Sequence, residues 1–381
     1  MVNRRLGLSI WLAVLCSVAL PLFAQNDPER WLNVEFPRDS PVLLVSFSLG
    51  RTTARPRGSS MALDLHASLL LRNTGPKPIS GLTLRVEAQD LTPMGKGSVT
   101  VPSLDIQPGD VFPVRIDLEL LRPFSFSKNE GAMVRVVLDC ALFNDLSAYG
   151  PDQLKSRRSL IVYELQARRD RRYMADLLRS GRFAEIREEL NFGSQDLQSR
   201  QLGLELLRNI DSRRRETPLS VGAMEFRSSP VQTTGGAVQV SGNEIRSPRI
   251  QLKNVSQKVV SSVDMGWIIR DERGREFVAG SVPAAVRLAP IETGIMTETG
   301  TLRFSNVTGQ PMAIGSLMAF VNDVEFADGK LWIPTRSDLD MATNDPDLRR
   351  ALASSPEQQR LADIFRRKGI PGLVDELKRT N

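Results

Sequence analysis

The sequence predicts a mainly β protein of two tandem β-sandwiches, each followed by an α-helical segment. Three observations lead there. Runs such as Leu63, Leu65, Ala67, Leu69 and Leu71 alternate with mostly polar neighbours, the period of a strand with one face on a core and one on water. Turn residues, including Asn73-Thr74-Gly75 and Pro108-Gly109, separate several such runs at short spacing, as in all-β folds. Between the two β regions lies a helical, arginine-rich stretch, and part of its pattern returns at the C-terminus.

Taken in order, residues 1–24 read as a secretory signal peptide. Arg4 and Arg5 give a positive start, Leu6 to Phe23 is uncharged, Pro21 breaks the helix, and Ala24 precedes a cleavage point. The stretch is also long enough to span a bilayer, so an uncleaved anchor is the alternative. No second apolar run of that length follows, so no membrane span is expected after cleavage. Residues 25–40 form a polar lead-in with Pro28 and Pro37. The first sandwich occupies 41–155, with further alternating rows at Leu82, Leu84, Val86 and at Phe112, Val114, Ile116, Leu118, Leu120.

A basic helical segment fills 156–215. Its first part carries apolar residues at i, i+3 and i+4, the spacing of one helix face. A second helix is expected from about Ser194 to Ile210, with Leu202, Leu206, Leu207 and Ile210 on one side. Arg213, Arg214 and Arg215 close it, where cations suit the negative end of the helix dipole. Thr217-Pro218 marks a boundary. The second sandwich runs over 219–337 and a C-terminal helical segment over 338–381.

The halves parallel each other. Residues 171–190 and 358–377 align at an offset of 187, with Ala175, Asp176, Arg179, Glu189 and Leu190 meeting identical residues. A glycine, Gly181 or Gly369, breaks each copy into two short helices. Leu71-Arg72-Asn73 meets Leu252-Lys253-Asn254 at offset 181; Asn144-Asp145 meets Asn322-Asp323, and Arg158-Ser159 meets Arg336-Ser337, at offset 178. Similar offsets in the same order predict an internal duplication. The strand pattern resembles bacterial exported immunoglobulin-like or fibronectin type III-like modules. The carriers are the Asn-centred turns at Asn73 and Asn254, a proline turn before the next strand pair, and a last hairpin over Asp328-Gly329-Lys330-Leu331-Trp332. The resemblance covers the sandwiches alone and implies an architecture, which hosts unrelated functions.

Charge is local. Without Arg4 and Arg5 the chain has 48 basic and 44 acidic residues, and 155–215 alone holds 15 basic and 9 acidic. An anionic partner would be met there, or the arginines are a solvated face laced with ion pairs. Outside the signal, Cys140 stands alone, which excludes an intramolecular disulfide; its place in an alternating row makes it a core residue. His66, the one histidine, lies on the polar side of its strand, and alone it cannot build a histidine metal site. Ser125-Phe126-Ser127-Lys128 matches Ser-x-x-Lys in loop surroundings without a Lys-Thr-Gly partner. Asp338, Asp340, Asn344, Asp345 and Asp347 hold oxygens that suit calcium, although Asn344 or Asp345 capping a helix near Pro346 explains them as well. Asn254-Val255-Ser256 and Asn306-Val307-Thr308 fit the glycosylation pattern, which is common by chance.

No catalytic motif or cofactor site is found, and no cofactor is expected. The expected function is that of an exported, non-catalytic interaction or scaffold protein of a bacterial envelope. Its contact would be the basic face at Arg168, Arg169, Arg171, Arg172, Arg213, Arg214 and Arg215. The partner would be an envelope protein or an anionic polymer; nucleic acid is not expected for an exported chain. Two alternatives stand: a polysaccharide-binding module using Trp332, or a hydrolase built from carboxylates in the cleft between the sandwiches.

Overall fold

The period-two rows form strands, and the helical rows form helices, in a mainly β architecture. The computed structural model describes residues 31–88, 95–123, 133–190, 200–207 and 216–379. The signal-peptide reading, the Ser125–Lys128 motif and Arg213, Arg214 and Arg215 lie outside the described residues.

The first half holds β1 (Leu32–Glu35), β2 (Val42–Leu49), β3 (Thr53–Arg57), β4 (Ser60–Asn73), β5 (Ile79–Glu87), β6 (Lys96–Val101), β7 (Val111–Pro123), β8 (Val134–Phe143) and β9 (Ala148–Tyr149). One sheet runs β1-β8-β5-β6 with β9 on β8; the other joins β2, β3 and β7 to β4. The alternating leucines of β4 and β7 and those of β5 and β8 share one buried core. Strands of both sheets thus contribute to that core.

Two helices follow, α1 (Ser156–Arg179) and α2 (Phe183–Leu190). Buried Asp139 on β8 accepts from the backbone N–H of Gln153 at 3.0 Å and Leu154 at 3.2 Å, which fixes the entry to α1. A Cβ on Gly81 would lie 2.8 Å from Leu160 Cδ2, so that glycine lets α1 approach β5.

The expected helix from Ser194 to Ile210 is not what forms over its described part. Gln201–Leu207 is a strand, β10. The reason is visible in the residues: Leu202, Leu204 and Leu206 also alternate, and all three pack on the second core. Gly203 within the run disfavours helix. The basic helical segment therefore ends its described helices at Leu190, not at 215.

The second half holds β11 (Thr217–Ala223), β12 (Val231–Ser241), β13 (Glu244–Asn254), β14 (Val260–Arg270), β15 (Glu276–Leu288), β16 (Thr293–Thr297), β17 (Thr301–Ser305), β18 (Ser316–Phe326) and β19 (Leu331–Trp332). These strands and β10 form one ten-stranded sheet, β11-β12-β13-β17-β10-β15-β14-β18-β19, with β16 on β13. A parallel pairing of β11 with β18 closes the path on itself. β10 sits antiparallel to β17 and parallel to β15. All the described strands of the second half thus belong to one hydrogen-bonded sheet.

Last come α3 (Arg336–Ala342), α4 (Pro346–Ala353) and α5 (Pro356–Arg379), the last bent at Gly369, whose φ is 64°. The matched helical segments meet: Met174, Leu177, Ile186 and Leu190 share a core with Leu361, Ala362, Leu373 and Leu377. A lysine–aspartate pair recurs in each half: Lys77 binds Asp145 at 2.6 Å and Lys258 binds Asp328 at 2.8 Å.

Candidate functional site

α1 is the helix on which the candidate residues gather. Its apolar side faces β5, β8 and the helical core, which turns its arginines toward three clefts. Much of the basic face is spent inside the molecule. Arg169 donates to the Pro334 and Ala353 carbonyls at 3.2 and 3.3 Å and to Asp170 at 2.9 Å. Arg171, buried, reaches Glu164 at 3.1 Å. From there opposite charges alternate toward the first half. Arg171 stands 3.8 Å from Glu357; Arg360 binds Glu357 at 2.8 Å and Glu376 at 2.5 Å; Arg379 binds Glu376 at 2.9 Å and faces Asp105 at 3.5 Å. Those two carboxylates hold the Arg360 guanidinium charged despite burial. The solvated-face reading thus fails for Arg169 and Arg171.

Arg168 and Arg172 stay at the rim. Arg168 binds Glu164 at 2.8 Å and the Asn144 carbonyl. Arg172 is exposed and donates through Nε to the Arg168 carbonyl at 3.1 Å. It lines two clefts. One, of about 450 Å³, lies between α1, the end of α5 and loops of the first half, with Arg168, Arg171 and Arg379. The other, of about 430 Å³, is walled by Leu165, Tyr173, Trp332 and Ile333, with Arg169 and Arg336. Arg336 stacks on the Tyr173 ring, 4.1 Å from its centroid, a cation–π contact. The structure therefore brings Arg169, Arg172 and Trp332 to one cleft. Trp332 is half-buried: it packs on two cores and its Nε1 donates to Ser228 Oγ at 3.3 Å.

The third cleft, of about 710 Å³, separates α1 from the second half. Arg158 binds Asp264 and Asp323 at 2.5 Å each and Glu325 at 3.2 Å. Asp264 and Asp323 are cross-strand partners on β14 and β18. Burial, then the Asp264 carboxylate, push Asp323 up to about 7, while Arg158 pulls it down. Sequence reasoning missed this cluster, Glu164, Tyr173 and Arg379. The signal for Asp264 was a carboxylate between Val263 and Met265 in an apolar row; its partner needs the strand register.

Other candidates resolve locally. Asp345 caps α4, accepting from the Asp347 and Leu348 N–H groups at 2.8 and 3.3 Å. Asp338 forms a capping box with Thr335 on α3. Those oxygens are engaged with backbone rather than gathered for a cation. Asn254 is fully buried, which removes it as a glycan acceptor on the folded chain. Cys140 is buried, and desolvation pushes its thiol up to about 12. Among the described residues no helix is long and apolar enough to cross a membrane.

No protein-family model and no curated protein matches the chain. Among solved structures, one titled "Native PhpD with Cadmium Atoms" aligns at 11% identity over 70% of this chain and 80% of its own, with a TM-score of 0.08. An overlay that poor carries no argument about fold or function.

Proposed function

We propose that the chain is an exported, non-catalytic interaction protein that receives an acidic segment of a partner protein on α1. The observation that carries the reading is the cleft of Leu165, Tyr173, Trp332 and Ile333 with Arg169, Arg172 and Arg336. Apolar walls with an exposed cation, Arg172, at the rim suit a peptide that offers an apolar side chain beside a carboxylate. Export rests on the reading of residues 1–24.

The two-unit, duplicated sandwich reading is part of this proposal. Its support is that strand pairings recur. β4 takes β2 and β7 as β13 takes β12 and β16, and β5 takes β6 and β8 as β14 takes β15 and β18. In each half the first strand runs parallel to the last long one. The helix–strand frame then acts as a rigid mount.

The alternatives draw less support. Trp332 is committed to two cores and to Ser228, and a sugar platform needs an open aromatic face. Asp264 and Asp323 are the carboxylate pair that a hydrolase would use, but Arg158 bridges them, which favours a structural role.

The test is fluorescence anisotropy with labelled acidic peptides that carry a central leucine or phenylalanine. Binding in the range of about 1–100 μM is expected, falling with salt. Arg172→Glu should weaken it about tenfold or more, as reversal of a contact charge does. Arg379→Ser, in the other cleft, should leave it unchanged. Equal binding by Arg172→Glu, or a preference for an anionic polysaccharide over every peptide, would reject the peptide reading.

A further inference from the structure

The sheet built around β4 has one unguarded edge. β2, β3 and β7 each pair with β4 alone among the described residues, so each leaves a row of backbone groups without a strand partner. Such rows invite another strand, and proteins blunt them with proline and charge. β3 carries Arg55 and Pro56, and β7 carries Pro113, Arg115 and Asp117. β2 carries neither proline nor charge over its eight residues, Val42–Leu49.

The solvent side of this edge is apolar as well. Leu43 is 53% exposed, and at the bulge between Leu44 and Ser46 the Val45 side chain is 43% exposed; bulges re-aim side chains in this way. Leu43 and Val111 flank Arg72 in one row of the register, and Leu70 lies two residues along β4. Leu70 and Val111 are exposed too. Four of the eleven large hydrophobic side chains exposed among the described residues thus gather at one end of this sheet. A cluster of that kind marks an interaction surface, whereas single exposed aliphatics do not.

The charges around the strand say what covers it. An uncharged strand meets an identical one without repulsion along its length. The nearest charge before β2 is Asp39 and the nearest after it is Arg51, both exposed. Two copies aligned antiparallel set Asp39 of each toward Arg51 of the other, whereas a parallel alignment sets like charges side by side. A two-fold axis also covers both bare edges at once, leaving neither for a third chain. We propose that β2 pairs antiparallel with β2 of a second copy of this chain, joining the two sheets into one across a two-fold axis. No residue of β2 lines the Tyr173–Trp332 cleft, so this proposal and the peptide reading fail independently.

The experiment is analytical ultracentrifugation of the chain from residue 25 to 381, which contains every described element. One strand pair is small for an interface, so a monomer–dimer equilibrium with a Kd of about 1–100 μM is expected. Leu43→Lys combined with Val45→Lys, both at exposed positions, should weaken it at least about tenfold, because lysines on an edge keep strands apart. Asp39→Lys should weaken it severalfold, and adding Arg51→Asp should restore it, since the two pairs then survive with their signs exchanged. A parent that stays monomeric at about 500 μM, well above the expected Kd range, would overturn the proposal and leave the edge to a foreign strand. A dimer that the two lysines leave intact would overturn it by placing the contact elsewhere. Failure of Arg51→Asp to restore the dimer would overturn the antiparallel alignment.

Discussion

His66 shows how much one residue's environment depends on strand register. Its Nδ1 lies 2.7 Å from Asp117 Oδ1 across β4 and β7, and its Nε2 lies 3.2 Å from Asp64 on the same strand face. The Asp117 hydrogen bond, with the two carboxylate charges, raises the imidazole above 6.5. Because the folded value is raised, the favourable charge pairing is fully present below 6.5 and disappears as pH rises through the folded value. One histidine gives one pair of imidazole signals. An NMR titration should place the midpoint above 6.5 and Asp117→Asn should lower it; a parent midpoint at or below 6.5 would refute the pairing. The polar-side placement of His66 was legible from alternation. Its acid partners were not, because Asp64 is two residues away but Asp117 is fifty-one away in sequence.

Among the elements, the two asparagine turns are the most repeatable pieces. Asn73 is fully buried, donates to the Lys77 and Ile106 carbonyls at 3.0 Å each, and accepts from Gly75 N–H at 3.0 Å. Asn254 donates to Lys258, Leu288 and Ala289 at 2.8, 3.1 and 3.0 Å and accepts from Ser256 N–H at 2.9 Å. In each half this side chain replaces backbone partners where a long strand turns away from the sheet. Asn73→Ala and Asn254→Ala should each cost about 2–4 kcal/mol, the size of several lost buried hydrogen bonds. Urea unfolding checks it, and a cost below about 1 kcal/mol at either site would mean the turn does not depend on its amide. The turns were legible because Asn, Gly and Pro have local reasons to be there. β10 was not legible, since Leu202, Leu206 and Leu207 fit a helix face while Leu202, Leu204 and Leu206 fit a strand. Only the gap between β15 and β17 decides between them, and that gap is tertiary.

Across the whole molecule, α1 ties the two halves together through Arg158. It holds Asp264, Asp323 and Glu325 of the second half from a helix that packs on the first. Removing it leaves three carboxylates facing one another, so Arg158→Ala should cost about 3 kcal/mol. Asp323, with a folded value near 7 against an ordinary 3.8, favours its protonated form in the fold. Its contribution is therefore fully present below 3.8 and is lost as pH rises toward about 7. Asp323→Asn should flatten the stability profile between those limits, measured by thermal unfolding at successive pH values. A slope unchanged in the variant would assign that pH dependence elsewhere. Arg158 was legible as one arginine of a basic helix, but its partners come from strands more than a hundred residues away. β10 binds the halves in another way. It is lent to the second sheet by the segment that leads out of the first half's helices. A recombination event that moved the second half by its apparent boundary near residue 216 would leave β10 behind. The transplanted piece would carry two raw ladders, on β15 and β17, ready to pair with a stranger. A boundary drawn in the alphabet near residue 216 is therefore not one at which the two halves part cleanly.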